Sequence, residues 1–256
     1  MLVGLIDSGL GLLPTSAWLK QLRPELDLIL LMDPDNAPWG PKPDDVVIER
    51  VLAAADRGIE AGAEALVLPC NTASVTALAD LRAHVGSVPV IGTVPAIKPA
   101  AAQSDRFAVW ATAATTASAY QARLIEEFAA GRTVTAVACH SLAESIDRGD
   151  SSAVSAAIRE AADRTPADVD VVVLGCTHYP LVAAEIAAAL PPGTRLFDSA
   201  EAVARQALRR IDELGKSTGG SGTVTVSMSG RAGSLPASAL AHREGRLLAG
   251  EHIVHQ

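Results

Sequence analysis

The sequence is short of aromatic residues, cysteine and lysine. Aromatic side chains make up 3% of the 256 residues, so alanine, valine and leucine must fill the core. The 49% hydrophobic and 20% charged residues are ordinary for a globular protein, which excludes a disordered or collagen-like chain. Cys70, Cys139 and Cys176 form neither a C-x-x-C pair nor a zinc-binding spacing, so we expect no disulfide framework and no metal site.

A basic surface and a long apolar run are also missing. The formal net charge is −8 and the arginines are scattered, so the sequence has no stripe that neutralises nucleic-acid phosphates. No apolar stretch approaches the ~20 residues of a membrane-spanning helix, and no basic segment precedes the first apolar run as in a signal peptide. We therefore expect a cytoplasmic protein that acts on a small molecule, without nucleic-acid or membrane partners.

Short β-rich runs alternate with alanine-rich helical stretches along the chain. Strands are predicted at residues 2–6, 26–32, 65–68, 88–91, 107–110, 134–137, 169–174, 195–197 and 222–228, and helices at 15–22, 44–61 and 235–251. A Gly/Ser/Thr-rich loop is predicted at 215–222. Apolar strands separated by helices are typical of parallel sheets covered on both faces, so the predicted fold class is α/β.

An internal repeat divides the chain into two halves. The segment ALVLPCNTA around Cys70 is echoed by VVVLGCTHY around Cys176, 106 residues later. The segment VGLIDS is echoed by AVWATA, which matches Asp7 to Thr112 at an offset of 105. Two echoes at nearly one offset predict two similar α/β halves, with the tail returning to the first.

Cys70 and Cys176 share one sequence context. Each follows the end of a hydrophobic strand and is followed at once by a predicted helix start. Ligands of open α/β sheets bind at the carboxyl ends of strands, and a helix N-terminus lowers the pKa of a thiol below its usual ~8.5. A single cysteine in such a place is more often a small buried core residue. Two in repeated positions, each beside polar side chains, favour thiol chemistry.

Two equivalent thiols suit a reaction that inverts a stereocentre. If the halves face each other, one thiolate removes a proton from one face of a carbon and the opposed thiol delivers a proton to the other. Well-placed acid–base groups contribute ~10²–10⁴-fold each. Asp7, which closes the first strand, and His178 are candidates for assisting groups. A cap made with Ser8 stays open as the alternative for Asp7, and a hydrogen-bonded wall residue as the alternative for His178.

The motifs around these residues resemble those of the glutamate racemases, within the wider aspartate/glutamate racemase superfamily. The matching segments are Asp7-Ser8-Gly9, Pro38-Trp39-Gly40, Cys70-Asn71-Thr72-Ala73, Ala111-Thr112-Ala113-Ala114-Thr115, Gly175-Cys176-Thr177-His178-Tyr179-Pro180 and Asp198-Ser199-Ala200. The resemblance runs nearly end to end. It implies cofactor-independent interconversion of L- and D-glutamate, with the D-isomer feeding peptidoglycan synthesis. A homodimer is expected because it is the commonest oligomer.

The resemblance also implies roles for individual residues. Cys70 would act on the D-isomer and Cys176 on the L-isomer, with Asp7 and His178 beside them; Asp147 matches a family glutamate on the approach to the histidine. The residues implied to line the substrate site are Ser8, Pro38, Trp39, Gly40, Asn71, Thr72, Thr112, Thr115 and Thr177. The implied domains are residues 1–95 with 208–256 and residues 96–207, related by pseudo-twofold duplication, with the active site between them.

Three departures from the family pattern bear on the substrate. Leu12 stands where the family has a second glycine, Trp39 where it has tyrosine, and Asp147 is one methylene shorter than the family's glutamate. These changes leave both thiols in place and touch the predicted pocket wall. An aspartate, hydantoin or other superfamily racemase, and a weakened paralogue kept for binding or regulation, therefore stay open as alternatives. Cys139 is expected to be a core residue.

Overall fold

The computed structural model describes residues 1–215 and 219–250, which form two compact units. The first unit contains Met1–Thr93 and the described residues from Ala200 onward, and the second contains Val94–Ser199. The helix Ala200–Asp212, which the predicted domain boundary at 207/208 divides, lies wholly in the first unit.

Strands and helices alternate, and we number them in chain order. The strands are β1 (Leu2–Asp7), β2 (Asp27–Met32), β3 (Ala63–Leu68), β4 (Val90–Gly92), β5 (Arg106–Ala111), β6 (Thr133–Ala138), β7 (Val171–Leu174), β8 (Arg195–Phe197), β9 (Val224–Met228) and β10 (Arg231–Gly233). The α-helices are α1 (Leu13–Leu22), α2 (Asp44–Glu60), α3 (Asn71–Thr76), α4 (Leu78–Val85), α5 (Ile97–Ala101), α6 (Ala113–Thr116), α7 (Ala119–Phe128), α8 (Leu142–Arg148), α9 (Ser151–Asp163), α10 (Ala183–Ala189), α11 (Ala200–Asp212), α12 (Ala237–Leu240) and α13 (Arg243–Leu248). Short 3₁₀ helices lie at Leu10–Leu12, Pro34–Asn36 and Tyr179–Val182.

The first unit is built on a six-stranded sheet in the order β10-β9-β2-β1-β3-β4. Its strands pair in parallel except β9 and β10, which are antiparallel. The strands β1 and β3 are almost entirely buried, because helices such as α2 cover the sheet. The tail returns to this unit as predicted: β9 pairs with β2, and α11 and α13 pack against α1.

The second unit repeats the central part of this topology. Its sheet has the order β6-β5-β7-β8, all parallel, which is the order β2-β1-β3-β4 of the first unit shifted by four strands. The prediction of two similar α/β halves with mainly parallel sheets is confirmed.

Strand register corrects one detail of the predicted repeat. Leu5 pairs with Val67 in the first unit, and Val109 pairs with Val173 in the second. With β3 and β7 matched at the offset of 106 that separates the cysteines, this register sets the offset between β1 and β5 at 104. Asp7 therefore corresponds to Ala111. The match of Asp7 to Thr112 was wrong by one residue, because small residues fit either register equally well.

The predicted closing helix at 235–251 is wrong: within the described residues it is two short helices, α12 and α13. An added Cβ on Gly245 would lie 2.1 Å from the carbonyl oxygen of Ala239, so only glycine allows the two helices to pack this closely. The guanidinium of Arg246 donates to the carbonyls of Leu240 and Ala241 at 2.9 and 2.8 Å, which satisfies the end of α12. Residue 251 lies outside the described residues, as do residues 216–218 of the predicted loop at 215–222.

Within the described parts of the chain, no helix combines the length and the apolar character needed to cross a bilayer.

Candidate active site

Cys70 and Cys176 occupy equivalent places in the two units. Cys70 lies two residues beyond β3 and Cys176 two residues beyond β7, each of which is a neighbour of the first strand of its unit. Both side chains are buried, with 8% and 9% of their surface exposed. The carboxyl end of a parallel sheet is the edge where α/β proteins bind ligands, so each thiol lies at the expected edge of its own unit.

Cys70 is the N-cap residue of α3, as the sequence predicted. Its backbone is extended, and its carbonyl accepts the first helical hydrogen bond, from the Ser74 N–H at 2.8 Å. The Ser74 hydroxyl donates to the Leu68 carbonyl at 3.0 Å and accepts from the Thr93 N–H at 2.9 Å. The start of α3 is thereby tied to the ends of β3 and β4, which fixes the backbone that carries the thiol.

Asp7 is fully buried at the end of β1, the strand beside β3. Its Oδ1 accepts from the Ser8 hydroxyl at 3.3 Å and from the Gly9 N–H at 3.1 Å. Because parallel strands end at one edge of the sheet, Asp7 and Cys70 lie on the same edge of the first unit. The contact with Ser8 agrees with the cap that the sequence left open for Asp7.

The Pro38-Trp39-Gly40 segment lies in the loop between β2 and α2. Trp39 belongs to the apolar core of the first unit with 1% of its surface exposed, and its indole N–H donates to the Asp33 carboxylate at 3.2 Å. The one polar atom of this side chain is therefore already engaged. Gly40 lies beside Thr72, since an added Cβ would be 3.8 Å from the Thr72 hydroxyl oxygen. Pro38 is half-buried.

A cysteine, a histidine and a carboxylate form a chain of contacts in the second unit. Nδ1 of His178 lies 3.7 Å from Sγ of Cys176, and Nε2 lies 3.0 Å from Oδ1 of Asp147. Asp147 is in the last turn of α8, which ends where Gly149 adopts the left-handed conformation at φ 69°. The imidazole is thus held between the thiol and the carboxylate, both from the second unit.

The protonation of His178 follows from these neighbours. Burial alone lowers the pKa of an imidazole, but the Asp147 carboxylate and the contact with Cys176 outweigh burial and raise the pKa of His178 well above its usual 6.5. With the proton on, both ring nitrogens donate. The group beside the Cys176 sulfur is therefore an imidazolium at neutral pH.

The expectation that Cys176 is followed at once by a helix was wrong. A turn closes first, with the Tyr179 N–H donating to the Cys176 carbonyl at 3.1 Å, and a 3₁₀ helix begins at Tyr179. An α-helix here would need an N–H on Pro180 to reach that carbonyl, and proline has none. The turn brings the ring of His178 back toward the sulfur.

Gly175 fits the close approach of β7 to β5. An added Cβ would lie 2.8 Å from the Trp110 carbonyl oxygen, which accepts the Gly175 N–H at 2.7 Å. A larger residue here would push Cys176 away from the sheet edge.

The four threonines predicted to line the site are partly exposed: Thr112 follows β5, Thr115 lies in α6, Thr177 follows β7, and Thr72 lies in α3. Thr112 caps α6: its hydroxyl accepts from the Thr115 N–H at 3.2 Å and donates to the Thr115 hydroxyl at 3.0 Å. Thr177 follows Cys176 directly, and in the first unit Asn71 follows Cys70 and is buried.

Cys139 is a core residue, as predicted. It is 2% exposed, and burial raises the pKa of its thiol to about 12. Among the described residues no group of three histidine, cysteine or acidic side chains is arranged to hold a metal ion.

Sequence reasoning missed Asp33 and Arg50, whose side chains meet beside Trp39 at 3.1 Å. Asp33 directly follows the end of β2, and a charged residue at the carboxyl end of a buried strand was a usable signal. Arg50 lies in the middle of α2 and offers no such signal.

The chain matches one family over most of its length. The sequence profile described as Asp/Glu/Hydantoin racemase matches residues 18–207. A glutamate racemase of Pseudomonas syringae pv. tomato is 38% identical over 220 residues, which cover 83% of this chain and 79% of the relative. A glutamate racemase of Pseudomonas putida is 39% identical over 216 residues, covering 82% of this chain and 80% of the relative.

Solved structures agree with the sequence relatives. Escherichia coli glutamate racemase, in complex with L-glutamate and the activator UDP-MurNAc-Ala, superposes with a TM-score of 0.82 at 30% identity, covering 97% of this chain and 94% of that one. Glutamate racemase from Aquifex pyrophilus gives a TM-score of 0.73 at 27% identity, covering 99% and 97%.

Proposed function

Because this chain belongs to the Asp/Glu/Hydantoin racemase family, and within it to the glutamate racemases, we propose that it is an isomerase that interconverts L- and D-glutamate. Two cysteines at equivalent sheet-edge positions carry the proposal, since each half-site offers one thiol to the reaction. The D-glutamate formed supplies peptidoglycan synthesis.

The proposed reaction moves one proton off the α-carbon and another onto its opposite face. With L-glutamate, the Cys176 thiolate takes the α-proton and becomes a thiol, and the electron pair spreads into the α-carboxylate. The Cys70 thiol then delivers its proton to the other face, which leaves a Cys70 thiolate and D-glutamate. With D-glutamate the two cysteines exchange roles. Each acid–base group is expected to contribute ~10²–10⁴-fold.

His178 and Asp147 assist Cys176 electrostatically. The imidazolium lies 3.7 Å from the sulfur, so it stabilises the negative charge that appears when Cys176 gives up its proton. Asp147 keeps the imidazolium charged and oriented through its contact at 3.0 Å.

Asp7 assists the other half. As a buried carboxylate on the sheet edge of Cys70, it is suited to accept a proton or to hold the substrate ammonium.

Hydroxyl, amide and backbone N–H groups hold the substrate carboxylates. The proposed contacts are Ser8, Pro38, Gly40, Asn71, Thr72, Thr112, Thr115 and Thr177, with Trp39 contributing through its backbone. None of these residues is arginine or lysine, and neutral donors at strand and helix ends are sufficient to bind carboxylates.

Stereochemical turnover tests the proposal directly. The purified protein is incubated separately with L-glutamate, D-glutamate, L-aspartate and D-aspartate, and the mirror isomer is followed by chiral chromatography. We expect inversion of glutamate that is lost in Cys70→Ala and in Cys176→Ala. Cys139→Ala, which removes a buried thiol from the core, is the matched control and should stay active.

Two other outcomes have definite meanings. Inversion of aspartate alone would contradict glutamate as the substrate and point to Trp39 and Leu12 as the pocket changes responsible. Silence with all four amino acids, from folded protein, would contradict racemisation of acidic amino acids. Homodimer formation and a cytoplasmic location stay parts of the proposal, and light scattering after size-exclusion chromatography tests the first.

A further inference from the structure

We propose that Asp33 is a positioning residue that holds the Trp39-Gly40 segment and Ser8 in place around the Cys70 half of the site, with Arg50 as its counter-ion. The inference rests on the proposed function, because it concerns substrate-site segments. It assigns to Asp33 no contact with the substrate.

Asp33 is a buried carboxylate that accepts hydrogen bonds from several side chains. Only 3% of the residue is exposed. Its Oδ1 accepts from the Asn36 amide at 3.0 Å, and its Oδ2 accepts from the Trp39 indole at 3.2 Å and from Nε of Arg50 at 3.1 Å. A buried carboxylate is costly unless it is paired and hydrogen-bonded, and here both oxygens are satisfied.

The same residue touches a second segment of the half-site through its backbone. Because β1 and β2 pair with Asp7 opposite Met32, the next residues, Ser8 and Asp33, are neighbours. The Asp33 N–H donates to the Ser8 carbonyl at 3.3 Å. Movement of Asp33 would therefore displace two segments, Ser8 through the main-chain hydrogen bond and Trp39 through the side-chain hydrogen bond.

Trp39 transmits the position of Asp33 to Cys70. The next residue, Gly40, lies against Thr72, two residues after Cys70 in the first turn of α3. Asp33, Trp39, Gly40 and Thr72 are thus successive contacts between the end of β2 and the helix that carries the thiol at its N-cap.

The loop needs such an anchor because it has little regular structure. Four prolines interrupt residues 34–43 and remove their N–H groups. The backbone hydrogen bonds within the loop are short-range, such as the one from the Lys42 N–H to the Trp39 carbonyl at 3.0 Å. The Asp35 end is tied to the tail by the Ser229 hydroxyl at 3.1 Å, whereas the Trp39 end is tied by Asp33.

Arg50 balances the charge of this anchor. Burial raises the pKa of the Asp33 carboxyl, but hydrogen bonds from Asn36, Ser229 and Trp39 and the charge of Arg50 outweigh burial and hold it below its usual value. The carboxylate is therefore ionised, and Arg50 offsets a negative charge that would otherwise repel a dicarboxylate substrate nearby.

Two test variants and one control separate positioning from simple stability. Trp39→Phe keeps an aromatic ring in the core but removes the indole N–H, and Trp18→Phe on α1 is the matched control outside the network. The double variant Asp33→Asn with Arg50→Met removes the ion pair without leaving either charge unpaired. We expect KM for both glutamate enantiomers to rise about tenfold in Trp39→Phe and in the double variant, with kcat changed about twofold or less. Trp18→Phe should leave both constants unchanged.

Wild-type KM in both Trp39→Phe and the double variant would overturn the inference, even if their melting temperatures fell. If the wild-type protein does not racemise glutamate, the proposed function fails, and the positioning role is then judged by the amide NMR signals of Ser8, Gly40 and Thr72. Those three signals should shift in the double variant and not in Trp18→Phe. Unchanged signals would contradict positioning.

Discussion

The two units share a strand order and a cysteine at the same point, yet the ionisable side chains near that cysteine differ. In the first unit the sheet edge beside Cys70 carries the buried carboxylate of Asp7. In the second unit Cys176 contacts the imidazolium of His178. The duplicated scaffold therefore supplies two topologically equivalent thiols that are chemically different.

The register of the strands shows that the two proposed assisting groups, Asp7 and His178, occupy positions that do not correspond to each other. Asp7 corresponds to Ala111, so the second unit has no carboxylate at the end of its first strand. His178 corresponds to Thr72, so the first unit has a hydroxyl where the second has an imidazole. The thiol position is common to both halves, whereas the proposed assistants follow different strands, Asp7 at the end of β1 and His178 after β7.

A single backbone difference underlies the second half-site. Ser74, four residues after Cys70, donates its N–H to the Cys70 carbonyl and starts an α-helix. The corresponding residue after Cys176 is Pro180, which has no N–H, so a tighter turn forms and His178 folds back toward the thiol. The residue four places after each cysteine, Ser74 or Pro180, thus decides whether an α-helix or a tighter turn follows the thiol.

Removal of either thiol is expected to reduce racemisation more than any other change. A small effect would contradict the equivalence of the two cysteines. Cys70→Ser and Cys176→Ser should each reduce racemisation of both enantiomers by about 10²–10⁴-fold, because each thiol is needed once in every turnover. Chiral chromatography with each enantiomer measures this. Near-normal turnover in either variant would show that one cysteine suffices.

Separate substitutions at the corresponding positions 178 and 72 should sharpen the comparison. His178→Asn is expected to lower kcat by about 10²-fold, since the charge beside Cys176 is lost. Thr72→Ala at the corresponding position should instead raise KM, because Thr72 is proposed to bind the substrate. Steady-state kinetics separates the two effects, and equal losses of kcat would contradict different roles.

Asp147 is expected to matter more at high pH than at low pH. In Asp147→Asn the effect of burial prevails, the pKa of His178 falls, and the imidazolium is lost as the pH rises. We expect kcat to fall about tenfold at pH 8 and less at pH 6. Asp147→Glu keeps the charge and is the matched control. A loss of the same size at both pH values would place the effect of Asp147 elsewhere than on the charge of His178.

The smallest expected effect is on stability. The pKa of His178 is higher in the folded than in the unfolded protein, so its contribution is fully present below about pH 6.5 and is lost as the pH rises through the raised pKa. Urea unfolding of the wild-type protein and His178→Gln from pH 5.5 to pH 9 measures the difference. The gap in unfolding free energy should shrink with rising pH, whereas a widening gap would reverse the assigned charge.

Much of the fold could be predicted because its signals are local. Buried runs such as Ala65–Leu68 identify strands, and the acidic pair Asp44 and Asp45 marks the start of α2. The break between α12 and α13 could not be predicted, because it depends on the contact of Gly245 with Ala239.

The candidate site could also be predicted only as far as local signals reach. Position in the repeat and residue type identify Cys70, Cys176 and His178. The contact of Asp147 with His178 came from resemblance, since the two are 31 residues apart. The pairing of Asp33 with Arg50 depends on the packing of α2 beside the end of β2, which no local pattern encodes.

One measurement tests the two-thiol reaction most directly. Each enantiomer of glutamate is incubated with the protein in D₂O, and the α-position of product and remaining substrate is examined at early times by mass spectrometry after chiral separation. With separate thiols on the two faces, the product should carry deuterium from the start while the recovered substrate keeps its protium. Protium carried into the product would contradict this account, because it would mean that a single group removes the proton and returns it to the opposite face.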